Sequence, residues 1–342
     1  MGILDWFKNQ SDQFDPNRVS AETVNWAVEK ALTLTNPQLK LLSDCHKRLA
    51  PAVETTIEFL RAQVSVLPAV HLLSASTWST DPALRAFFVA PADIPALLGS
   101  SENLRALFGQ FPELDEACLV LGMALKEQRG FGMALQGEMI QREVSQTSVS
   151  FSDHRARICG ADEPQLRRQI GIEVFEYLVG QALSEIGAER VERQELQSNR
   201  ALIRARLRLL QQHGPGLGSM FGAEPAAQGE QARLDAELLE NERQLQAIGG
   251  TDSALEAELE SLTTVLNNPQ RYLHFEPRRL RLSTMNLVVD ENSSERAADI
   301  DFAVVELSGS QLVRRAFILG RVARAELPPP KTLNIDNAAR YL

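Results

Sequence analysis

Residues 230–266 read EQARLDAELLENERQLQAIGGTDSALEAELESLTTVL, and positions 234, 238, 241, 245, 248, 252, 255, 259, 262 and 266 step alternately by four and three. Eight of the ten are Leu or Ile. A stripe of period 3.5 is what a helix needs to keep one side against a partner helix. Asn241 and Asp252 are the exceptions. Gly249-Gly250 interrupts the run, and Ser253 with Glu256 three residues later forms a capping box that restarts it, which predicts a break in this arm.

The partner lies upstream. Phe175, Val179, Ala182, Ile186, Glu189, Arg193, Leu196, Arg200, Ile203, Leu207 and Leu210 follow the same steps, with a polar middle. Residues 190–213 hold six Arg and two Glu, whereas 228–262 hold nine acids and two Arg. Clustered arginine suits phosphate binding. Here, however, an acidic arm is tethered beside the basic one, and such opposed flanks set helix pairing. The reading is therefore an antiparallel helical hairpin with no nucleic-acid partner. Asp162 caps the outgoing helix and Pro164 sits in its first turn, where a missing N–H costs nothing. At about 1.5 Å per residue this helix spans roughly 75 Å. Helix ends level near 213 and 227 make paired residue numbers sum to about 440, setting Arg200 beside Glu240 and Asn241. Between the arms, Leu217, Met220 and Phe221 stand among four glycines; three large apolar side chains at the far end of an arm are expected to bind a partner or to plug the hairpin end.

Working outward, residues 20–129 read as helical throughout, cut short by prolines and glycines into an irregular bundle. Ser20 opens the first helix, Asn36-Pro37 the next, Pro51 is expected to break or kink the segment 39–67, and a last helix covers 113–128 with a stripe of Leu114, Cys118, Leu119, Leu121 and Leu125. The period then changes to two: Val149 and Phe151 alternate with Ser148, Ser150 and Ser152, and further alternating runs cover 279–289, 300–307 and 312–327. Short connections such as Ser308-Gly309-Ser310 make neighbouring strands antiparallel. The fold class is α+β: an irregular helical domain (1–129), an antiparallel sheet domain split between 130–160 and 268–327, a coiled-coil hairpin (161–267) inserted within it, and a tail (328–342). Val149 and Phe151 are expected to share one core with Ile300, Phe302 and Val304.

Composition narrows the function. A formal net charge of −10 argues against a general nucleic-acid binder. Cys45, Cys118 and Cys159 are odd in number and show no CxxC spacing; with no signal-peptide pattern and no apolar run of spanning length, the expected location is the cytoplasm. Ile3, Leu4, Trp6 and Phe7 want an apolar surface. A lone Lys beside them makes packing on protein the favoured use over membrane contact.

No catalytic signature is present: there is no phosphate-binding loop, dinucleotide fingerprint or nucleophile elbow. The five His, at 46, 71, 154, 213 and 274, are scattered, so neither a metal nor a cofactor is expected. Ser152-Asp153-His154-Arg155 gathers reactive types in sequence, but neighbouring strand residues point to opposite faces. His154 and Arg155 are the alternative ligand site, in a cleft between helical bundle and sheet. The favoured expectation is a non-enzymatic scaffold using its hairpin for partner binding or self-association.

Overall fold

The computed structural model describes residues 19–136, 139–212, 224–247, 254–290, 295–309 and 312–329. The chain divides into two compact units, one of residues up to Glu58 with Glu176–Pro269, the other of Phe59–Phe175 with residues from Gln270 on.

In the first unit, α1 (Ala21–Thr35) is capped by Ser20, whose side chain accepts from the Thr23 N–H, and buries Val24, Ala27, Val28, Ala31 and Leu32 on one side. A 3-10 turn (Pro37–Leu41) follows, capped by Asn36. Helix α2 (Cys45–Ser65) runs through Pro51 without the expected break. The long helix α6 (Glu163–Gln212) pairs with α7 (Glu224–Ala247) and α8 (Ala254–Asn267). The stretch between α7 and α8, which holds Gly249-Gly250 and Ser253, lies outside the described residues. Fully buried Thr56 donates to the Leu266 carbonyl at 2.6 Å, satisfying one of the open carbonyls at the α8 C-terminus.

The arms meet as the heptad pattern requires, but in another register. Ile203, Leu207 and Leu234 form a buried cluster with Leu210 and Leu238. Arg204 reaches Glu242, six residues beyond the expected 236, and Arg190 reaches Glu258, eight beyond 250. A slip of about one heptad leaves the a/d stripes in phase, so the pattern alone cannot detect it. The cross-arm ion pairs of Arg190 and Arg204 set the observed register.

The second unit carries the sheet. Strands β2 (Glu116–Gln136), β3 (Met139–Gly160), β4 (Leu273–Ser283), β5 (Ala297–Ser308) and β6 (Leu312–Ala323) lie antiparallel in the order β3-β2-β6-β5-β4, and the two-residue β1 (His71–Leu72) adds parallel to β6. The expected helix over 113–128 is thus corrected to strand. Ala117, Leu119, Leu121 and Met123 face one core while Cys118 and Val120 face another. A strand buried on both faces is continuously apolar, and such a run is indistinguishable from a buried helix by periodicity.

The first core also takes Leu84 and Phe87 from α3 (Pro82–Phe87), Ile94 and Leu98 from α4 (Asp93–Ser100), and Leu104 and Phe108 from α5 (Glu102–Gln110). Val149 and Phe151 share it with Ile300, Phe302 and Val304. Against the other face lie Phe59 and Val64 at the end of α2 and Leu166 and Ile170 at the start of α6. Asp162 caps α6, accepting from the Gln165 N–H at 2.7 Å, while the Gln165 side chain accepts from the Ala161 N–H at 2.8 Å.

After β4 the chain turns at Asn286 (φ 56°) and bonds to two strands: Val289 N–H to the Arg281 carbonyl, and Val288 N–H to the Thr147 carbonyl of β3. Val149 N–H returns a bond to Asn286. The sheet's two edge strands are thereby linked, and the polar groups of the β3 edge at 147–149 are satisfied.

Candidate functional site

The side chains with the best-defined chemistry lie along the hairpin. Glu258 on α8 is 5% exposed and accepts three hydrogen bonds, two from Arg190 (Nε and Nη2, each 2.7 Å) and one from Asn36 Nδ2 at 2.7 Å. Arg190, with Asn36 adding to it, holds the Glu258 carboxyl below its ordinary range. The fork-shaped pairing fixes α8 against α6 and ties both to the cap of the 3-10 turn. Arg48 to Glu256 at 2.7 Å is a second link to α8.

Farther along, the buried layer becomes polar. Arg193 and Asn241 are each 7% exposed, and Asn241 Oδ1 has no hydrogen-bond partner. Burial pushes the Glu189 carboxyl up, with nearby Arg193 opposing the shift. These are the polar breaks seen in both stripes. On either side of them, Val191, Leu202 and Leu209 on α6 are 58%, 52% and 54% exposed, and Leu239 on α7 is 71% exposed.

His154 and Arg155 occupy a β-bulge. The register passes from Gly122 opposite Arg155 to Ala124 opposite Ser152, so that Asp153 and His154 together oppose Met123, and Asp153 takes φ 48°. The His154 ring lies on Phe88 with centroids 4.8 Å apart, and its Nε2 is 2.8 Å from the Phe87 carbonyl. Burial lowers its pKa, which keeps it neutral. Arg155 instead binds the Asp153 carboxylate, which also accepts from Arg315 of β6 at 2.9 Å, while a second Arg315 nitrogen bonds the Asp153 carbonyl at 2.7 Å. Arg315 before all, then Arg155, depresses the Asp153 pKa. The two residues do not converge on a shared point: one anchors a helix end, the other serves the bulge.

Two arginines of β4 are similarly engaged, Arg279 in a two-pronged pair with Asp301 (2.6 and 2.9 Å) and Arg278 with Glu127 at 2.6 Å. Burial pushes the Cys159 thiol up to about 12 and also raises Cys118, so neither is an activated nucleophile. Among the described residues no group of three or more His, Cys, Asp or Glu could hold a metal ion, and no helix is long and apolar enough to cross a membrane. Leu217, Met220 and Phe221 at the tip, and Ile3, Leu4, Trp6 and Phe7, lie outside the described residues. Sequence reasoning missed Glu258 as a binding centre, since it read the residue as a flanking charge. It also missed the exposed line of Val191, Leu202 and Leu209, whose spacings of 11 and 7 are themselves a helical signal.

No family model, no curated protein and no solved structure matches this chain.

Proposed function

We propose that the paired helices α6 and α7 form an interaction arm, and that the protein is a non-enzymatic cytoplasmic scaffold acting through that arm in partner binding or self-assembly. The observation carrying this reading is the exposure of Val191, Leu202, Leu209 and Leu239 on a stretch whose own buried apolar contacts are few. Two helices hide only one side of each other. Apolar residues repeated on another side are kept for something that covers them.

The test changes Leu202 and Leu209 to Asp together. Exposed positions tolerate such changes within about 0.5 kcal/mol, so thermal unfolding should hardly move. Proteins captured from the native host, or the oligomer mass by light scattering, should be lost. A variant that keeps wild-type mass and every captured protein contradicts the reading.

A further inference from the structure

On a helix turning about 100° per residue, Val191, Leu202 and Leu209 line up within about 20° of one another. They lie roughly a third of a turn from the direction of Ile203, Leu207 and Leu210. Filling in the four-and-three steps gives Val191, Glu195, Ser198, Leu202, Ala205 and Leu209, a second stripe of the kind that packs helix on helix. Large and small residues alternate along it.

The charges beside this stripe say what would cover it. Glu192 and Arg206, both exposed, flank it on the same side, one toward each end. Neither forms a salt bridge with another described residue. In an antiparallel helix pair like flanks meet, so an identical helix rotated about a two-fold axis near Asn199 brings Glu192 to Arg206 of the other copy, twice. The same rotation sets Leu202 against Ser198, Leu209 against Val191 and Ala205 against Glu195, so each bulky residue meets a smaller one. A parallel pairing would carry the two copies' Glu192 and Arg206 to opposite sides of the seam and leave neither charge matched by the other.

We propose that the partner of the arm is a second copy of this chain, docked antiparallel through the Val191–Leu202–Leu209 side of α6 with paired Glu192–Arg206 contacts. This rests on the reading of the hairpin as an interaction arm and names its occupant. The surface is isologous and closes at two copies.

The test is sedimentation of the full-length chain carrying E192R, R206E or both. The wild type should sediment as a dimer. Each single reversal opposes like charges at two symmetric places and should raise the dissociation constant at least about tenfold. The double reversal restores opposite charges and should return it to within about threefold of wild type. Leu202→Asp should dissociate the dimer while the monomer keeps the wild-type circular dichroism spectrum, and its unfolding midpoint should no longer depend on protein concentration. A wild type that stays monomeric, a dimer indifferent to these changes, or single reversals that the double does not rescue each overturn the proposal. If the wild type is monomeric yet captures a foreign protein that Leu202→Asp loses, the arm survives and only the self-pairing falls; if nothing is lost, both fall.

Discussion

His154 shows how a residue chosen for its chemistry can be taken up by architecture. Its ring is spent on Phe88 and on the Phe87 carbonyl, and burial depresses its pKa below the ordinary 6.5. The unfolded chain therefore takes a proton first as pH falls. Stability from this group is complete above about pH 6.5 and is lost as pH drops from there through the folded pKa. Urea unfolding at pH 7.5 and 5.5 should show a loss of stability in the wild type that shrinks in His154→Gln; an equal loss in both would contradict the buried, neutral ring. What was legible here was the conflict between neighbours on a strand, which already argued against a shared site. The bulge at Asp153 was not, because it depends on Arg315, 162 residues away in sequence.

Among elements, the two stripes of the hairpin were readable almost position by position: Val179, Ala182, Ile186, Arg193, Ile203 and Leu207 are buried on α6, as are Leu234, Asn241, Leu245, Leu259, Leu262 and Leu266 on the return. The register was not, since a heptad slip preserves every a/d position. Asn241 bears on that choice. A buried amide with an unsatisfied oxygen costs stability, yet polar residues in such stripes restrict the alternatives. Asn241→Leu should therefore stabilise the arm by about 1 kcal/mol, read as a higher unfolding midpoint. A destabilised variant would mean that the amide makes an interaction worth more than apolar packing. Strand β2 marks the opposite limit: its first half is buried on both faces, which removes the period-two signal there.

For the molecule as a whole, the α+β class and the sharing of one sheet by strands from both sides of the hairpin followed from alternation at 149–151 and 300–304. The return of the chain at 286–289 onto β3 did not, because isolated bridges have no periodic signature. Neither did the contribution of α3, α4 and α5 to the sheet's core, since amphipathic helices do not reveal which face they cover. The proposal of an interaction arm rests on a contrast: His154, Cys118, Cys159, Arg278 and Arg279 are held by packing or ion pairs, whereas α6 and α7 expose large apolar residues. Site-specific photocrosslinking in the native host tests this most directly, with a photoreactive residue at Leu202 and, as a control, at exposed Met285 beyond the arm. Cross-linked protein, whether a second copy or another chain, should form from position 202 and be absent or much weaker from 285. Adducts from 285 with none from 202 would contradict the account.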